Sequence, residues 1–365
     1  MKGARAEGAT HDATPARTNF VARWDLDKTY LRTDFDTLPD LVRTAFERPD
    51  QKRAVPGATA LLAALGKSGA RIHILSGSPR QMRRRLEDKL RLDRVRWDEL
   101  TLKPNLSNFL RLRLRALRDQ LGYKLPALLS ARLRDQAGAG GSGPSEVLVG
   151  DDAEADAFVY SLYADICEGV VEAPELRKIL KAGQVYADQR EECLAAFEQI
   201  RRGLSVERIL IHLDRQSPPS NFDAFRPRVV PFYNYLQAAF VLGEDGRLGG
   251  SAVLDVASVM MVRYGFDAEA LGRSYLDLLR RGHARGRVSG LLKDGLATGG
   301  GGNEPKTRES LRQMCELIDR HVESTGPLPE PRAGAPRRDY VELASRHRGG
   351  KNRKRFPIGR SYHLG

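Results

Sequence analysis

Residues 19–29, Asn-Phe-Val-Ala-Arg-Trp-Asp-Leu-Asp-Lys-Thr, decide the fold. The run from Asn19 to Asp25 is short, largely apolar and ends in acid, which is the pattern of a buried strand with polar chemistry at its C-terminal end. Asp25 and Asp27 stand at i and i+2 after that strand. If the backbone turns there, both carboxylates reach one site, where one can attack phosphorus while the other protonates the departing oxygen. A surface acidic turn has the same letters, so the pair gains weight only in company with motifs further along the chain.

Residues 71–75 (RIHIL) read as a second strand, leading into Ser76-Gly77-Ser78-Pro79 and a basic helix to about Leu92. A hydroxyl beside free N–H groups at a helix N-terminus is a phosphate seat. Ser78 capping a helix with Pro79 at its first position is the competing reading, and the two are compatible. Residues 146–149 form a third strand that runs into Gly150-Asp151-Asp152-Ala153-Glu154-Ala155-Asp156. Two adjacent acids and a third five residues past the first make the all-oxygen site that Mg²⁺ favours. Acidic capping of the next helix is the plainer alternative. Lys124, in Gly122-Tyr123-Lys124 at the expected start of a helix, can neutralise a phosphate and an attacking carboxylate together. Lys103 in Leu102-Lys103-Pro104-Asn105 is its rival. Three of these four features come directly after strands, and open α/β sheets form their ligand sites at that end.

Outward from these motifs, helices are expected at 37–46, from Pro56-Gly57 onward, and at 106–121, 125–133 and 153–163, with a further strand at 208–213. Strands alternating with helices predict an α/β fold, a parallel sheet covered on both faces. Residues 137–144 (AGAGGSGP) read as a flexible connector. After Pro218-Pro219 the pattern turns helical, at 232–242, 252–263, 267–281 and 306–322. The expected division is a disordered lead (1–17), a catalytic domain (18–215), a helical accessory region (216–325) and a basic, extended or disordered tail (326–365). The stretch between Tyr30 and Val55 leaves room for only a small helical cap, so the site is expected to be open to a bulky or surface-presented substrate.

The chain has 365 residues, 41% hydrophobic and 29% charged, with a formal charge of +13. No apolar run approaches the roughly 20 residues that span a bilayer. The N-terminus has no apolar core of a signal peptide, and Cys167, Cys193 and Cys315 form no metal clip, so a reducing cytoplasmic setting is the expectation and structural zinc is not. Arg80, Arg83, Arg84, Arg85 and Lys89, then Arg111, Arg113, Arg115 and Arg118, read as solvated helix faces. The basic run 346–355 offers contact to an anionic partner. A protein that binds nucleic acid through this tail, its other domain accessory or inactive, is therefore the alternative function. His73, His283 and His321 read as structural residues, and Met260-Met261 as core.

Taken in order, WDLDKT, SGSP, the lysine of GYK and GDDAEAD resemble the four motifs of the haloacid-dehalogenase superfamily, over residues 18–215. The resemblance implies a three-layer Rossmannoid sandwich and Mg²⁺-dependent hydrolysis of a phosphomonoester. Asp25 would be the nucleophile and Asp27 the acid/base, Thr29 would support the loop, and Ser76, Gly77 and Lys124 would hold the phosphoryl group. The metal would be bound by Asp25, the Asp27 carbonyl and Asp151, assisted by Asp152 and Asp156. Within the superfamily the chain is most similar to the phosphatidate phosphatase catalytic domain of the actin-patch-protein type, on Ser-x-Ser-Pro and on Asp151, Asp156 and Tyr160. Lys28 stands where that family has a third acid, and Asp152-Ala153 where it has Ser-Gly. The implied substrate is a phosphorylated small molecule or a lipid head group.

Overall fold

In the computed structural model the described residues are 19–26, 29–30, 54–103, 117–139, 141, 143–325 and 337–352, with side chains to residue 346. Asp27, Lys28, the expected helix at 37–46, the small cap, the N-terminal lead, Arg111, Arg113, Arg115 and the end of the basic tail lie outside them.

Six strands form one parallel sheet: β1 (Phe20–Asp25), β2 (Arg71–Pro79), β3 (Glu99–Lys103), β4 (Ser145–Asp151), β5 (Val206–His212) and β6 (Val229–Phe232), in the order β3-β2-β1-β4-β5-β6. The chain steps outward from β1 to β2 and β3, then returns to lay β4 on the other side of β1. That reversal puts the point where the strand order switches, the usual place of ligand sites in open α/β sheets, at the C-terminal ends of β1 and β4. Pleating sorts the β1 side chains. Phe20, Ala22 and Trp24 enter one buried cluster with Ile72, Ile74, Val147 and Val149. Arg23 and Asp25 alternate with them and point to the opposite face.

The first face is covered by α1 (Ala58–Lys67), α2 (Arg83–Leu92) and the C-terminal helices α7 (Tyr235–Glu244), α8 (Gly250–Tyr264), α9 (Ala268–Arg280), α10 (Val288–Ala297) and α11 (Pro305–Thr325). The second is covered by α3 (Leu117–Ala139), α4 (Asp156–Cys167), α5 (Ala173–Ala182), α6 (Ala187–Gln199) and α12 (Tyr340–Asn352). The protein is thus α/β with helices on both faces of a parallel sheet. No helix among the described residues is long and apolar enough to cross a membrane.

Several expectations are corrected. The sheet continues past residue 215 into β6, and α7 to α11 share one core with Trp24 and Leu61, because without them the first face of β4, β5 and β6 would lie bare. A division at 215 therefore cuts through a core. The helices expected at 106–121 and 125–133 are, from Leu117 on, one helix that runs through Pro126 to Ala139 and takes in part of the expected connector. Lys124 sits inside that helix, not at its start. The supposed tail contains α12, whose Tyr340 and Ala344 are buried in the second layer while Arg338 pairs with Asp165 at 3.0 Å. An apolar anchor and an ion pair fix a segment that composition alone reads as unstructured.

His283, after α9, is structural as expected. Burial, with Arg281, Arg226 and Arg208 nearby, pushes its imidazole down from 6.5 to about 3. The folded protein refuses a proton that the unfolded chain accepts below pH 6.5, so stability is greatest above that value and falls toward pH 3. Between pH 7 and 5 the loss from this group should be about 1 kcal/mol after allowing for solvent screening. Urea unfolding of His283→Gln beside the parent should show a flatter pH profile by that amount; parallel profiles would refute the assignment.

Candidate active site

Asp25 closes β1 and Asp151 closes the adjacent β4, so paired strands place both carboxylates side by side at the C-terminal edge of the sheet. Asp156 opens α4 and leans back over the strand end, where its Oδ2 accepts the Asp151 N–H at 3.1 Å. Gly150 makes this approach feasible: a Cβ there would lie 2.3 Å from Asp156 Oδ2. Asp25, Asp151 and Asp156, all buried, each offer an oxygen within 4.8 Å of the others and could hold a metal ion. Thr29 Oγ1 stands 3.3 Å from Asp25 and 3.5 Å from Asp151, close enough to donate its one proton to either.

Helix α3 delivers the counter-charge. Lys124 Nζ lies 2.5 Å from Asp156, 2.8 Å from Glu154 and 3.0 Å from Asp25. Lys103, the rival, sits at the end of β3 with its ammonium 5.1 Å from the Tyr123 ring centre and no ion pair among the described residues. Lys124, not Lys103, is therefore the lysine in ion-pair contact with these acids. Burial works against the Lys124 charge, but Asp156, Asp25 and Glu154 outweigh it and hold the ammonium well above its ordinary range. The acids fare differently. Burial first, then crowding by Asp156, Glu154 and Asp151, pushes Asp25 well up despite Lys124. Asp151 is raised by burial and by Glu154 and Asp156. One buried cation facing four carboxylates leaves a site short of positive charge. Asp25 Oδ1 has the Lys124 ammonium 3.0 Å away but poorly aligned for a hydrogen bond, and it accepts from no other described residue. A hard cation bound by carboxylate oxygens supplies what both observations lack, so the donor set fits a divalent ion.

Ser76, Gly77 and Ser78 lie on the C-terminal extension of β2, not at a helix N-terminus; a short 3₁₀ turn, Arg80–Met82, intervenes before α2. Ser78 is therefore not the helix cap expected. Its N–H donates to Ser76 Oγ at 3.0 Å, while Tyr123 donates to the Ser76 carbonyl at 2.7 Å and ties this loop to α3. Around the position of a Gly77 Cβ there is open space.

Asp152 is not brought to the cluster. Its carboxylate accepts the N–H groups of Arg215 at 2.8 Å and Ser217 at 3.0 Å, binding the loop after β5. Asp152 stands one residue past the end of β4, in the turn, where those two N–H groups hold its carboxylate away from Asp25. Glu154, which the motif pattern leaves without a role, takes the place next to Lys124. Tyr235 is a second residue that the motifs do not reveal. It donates a hydrogen bond to the Thr29 carbonyl, stacks on Trp24 at 5.7 Å and on His212 at 5.2 Å, and comes after Asn234, whose side chain caps α7. Gly57 clears its way, since a Cβ there would meet the Tyr235 Cβ at 2.9 Å.

Helix α3 also carries a second polar group, further along the face that holds Lys124. Arg132 donates to Glu146 at 2.7 Å, and Asp135 accepts from Arg23 at 2.6 Å. Arg23 binds Glu146 at 2.8 Å, and Tyr163 donates to the same carboxylate at 2.9 Å. Arg23 Nη1 is 3.0 Å from His73 Nδ1. A guanidinium can only donate, so this nitrogen of His73 accepts and the ring is neutral. Burial, aided by Arg23, pushes the imidazole down in agreement.

Comparison with known proteins gives no matching family and no matching curated relative.

Proposed function

We propose that the protein is a Mg²⁺-dependent phosphohydrolase of the haloacid-dehalogenase type that cleaves a phosphomonoester through an aspartyl-phosphate on Asp25. The supporting observation is the convergence, from positions far apart in the chain, of Asp25, Asp151 and Asp156 within 4.8 Å, with Lys124 3.0 Å from Asp25. An acid cluster serving only to start a helix would not gather around the end of another strand.

In this reading an Asp25 oxygen attacks phosphorus, the P–O ester bond breaks, and the departing oxygen takes a proton from Asp27. Asp27 then accepts a proton from water as the water attacks the aspartyl-phosphate, which frees Asp25 and phosphate. Lys124 binds a phosphoryl oxygen and, together with a bound cation, favours the ionised form of Asp25, while Ser76 and the Gly77 N–H hold the remaining oxygens. Asp25, Asp151 and Asp156, with the Asp27 carbonyl, would hold the ion, which supplies positive charge to the phosphoryl group. Thr29 keeps the Asp25 and Asp151 carboxylates in register. Lipid head groups remain within the substrate class that the sequence resemblance implies.

A panel of phosphorylated metabolites, nucleotides, phosphatidate and a generic aryl phosphate, assayed with Mg²⁺ and with EDTA, tests this reading. Turnover of at least one ester should fall by about 10³-fold or more on chelation, as expected when charge compensation of several kcal/mol is withdrawn, and return with Mg²⁺. Turnover unchanged by EDTA would sink the metal-dependent reading.

A further inference from the structure

Remote from the strand ends that carry Asp25 and Asp151, the starts of β2 and β3 meet the ends of α1 and α2 in an open groove of about 870 Å³, within the size range of ligand sites. Its floor is apolar, built from Leu62, Val95 and the half-buried Trp97, which packs against the core and has the Arg91 guanidinium 5.6 Å from its ring centre. Its rim is basic: Lys67, Arg71, Arg91, Arg94 and Arg96. Arg71 is paired with Asp135 at 2.8 Å, and Arg91 with Asp88 at 2.9 Å. Lys67, Arg94 and Arg96 are exposed and make no ion pair with any described residue. The one carboxylate in the lining, Asp98, accepts the Ile72 N–H at 2.8 Å. Arg94 has φ 56, a left-handed position after α2 that glycine would occupy more readily, so its side chain is kept there at a backbone cost.

We infer that this groove binds single-stranded nucleic acid, with phosphates on Lys67, Arg94 and Arg96 and a base against Trp97. A groove holding a half-buried indole with a guanidinium over it suits an unpaired base, which presents its π face to the ring or to Arg91; a duplex hides that face, and a bilayer surface calls for a protruding aromatic side chain. Three cations without an ion-pair partner among the described residues give the charge complementarity that a polyanion needs. This inference is independent of the phosphohydrolase reading and of the basic tail.

The chain has two tryptophans, and Trp24 is fully buried, so Trp97 is the natural reporter. Titration of the full-length protein with oligouridylate of about ten nucleotides, a typical site length, should quench tryptophan fluorescence. The affinity should weaken with salt at a log–log slope of about −2, as three phosphate contacts to a single strand require. The double variant Arg94→Glu/Arg96→Glu should bind at least about tenfold more weakly. Arg94→Gly should lower affinity while leaving the melting temperature unchanged or higher, which separates lost binding from lost folding. Binding that survives both variants, or that disappears on deletion of residues 353–365, would assign the polyanion to the tail and overturn the proposal. So would preference for polyglutamate or for anionic phosphatidylglycerol vesicles over the oligonucleotide.

Discussion

Replacing Asp25 by Asn should reduce turnover on the order of 10⁴-fold or more, the loss seen when a nucleophile that works as part of a unit is removed. The same substitution should not harm the fold. Asp25 is pushed well up by burial and by Asp156, Glu154 and Asp151, so in metal-free buffer its charge is a burden that asparagine removes at nearly constant shape. An increase in stability is expected. Lys124→Met should do the reverse on the stability axis. It strips the one cation from Asp25, Glu154 and Asp156 and should cost about 3–5 kcal/mol, as uncompensated buried charge does. Steady-state assays on the ester found by the panel, with chemical denaturation in EDTA, measure both. Retained turnover in Asp25→Asn would remove Asp25 from the chemistry. A destabilised Asp25→Asn would show that the crowding is not as described.

Arg23→Met should destabilise the protein by about 3–5 kcal/mol, the largest expected effect away from the site. Arg23 lies in the middle of the central strand and is the common partner of Glu146 and Asp135. Burial opposes its charge, yet Glu146, with Tyr163 and Asp135, holds the guanidinium well above its ordinary value. Glu146 is held low in turn by Arg23 and Arg132, which outweigh its own burial. Methionine fills much of the volume but leaves two carboxylates beneath the sheet with fewer donors. Glu146→Gln should be milder, since the amide oxygen still accepts from one arginine, although its amide group then faces a second one. Urea midpoints at unchanged m-value give the numbers. A loss below about 1 kcal/mol for Arg23→Met would mean that the network contributes no more than a surface pair.

The parts of this molecule legible in its sequence are those where local pattern and buried structure coincide. Residues 19–25, 71–75, 146–149 and 208–213 are apolar runs, and each is a strand of the sheet. β3, with sequence ELTLK, alternates with charge, and β6 carries Pro231; a proline is tolerated there because the strand lies at the sheet edge and needs fewer donors. Neither gives a strong local signal. Asp25, Asp151, Asp156 and Lys124 were legible because motif order survives folding even when distances are unknown. Asp152 is not legible in this way, because two adjacent acids look alike in sequence while the loop after β5 claims only the second. Tyr235 was invisible for a different reason. Its partner, Thr29, is 206 residues away, and no periodicity spans that separation.

That last contact bears on how the protein can be handled in the laboratory. A shortened version ending near residue 215, designed as a minimal catalytic unit, would discard the phenol that grips the loop behind Asp25 and the ring that lies against Trp24. Such a fragment would retain every motif residue and still lack the wedge that sets their spacing. Expression designs and domain-swap chimaeras therefore need to carry the chain at least through α11, whose Leu311 and Met314 finish the same core.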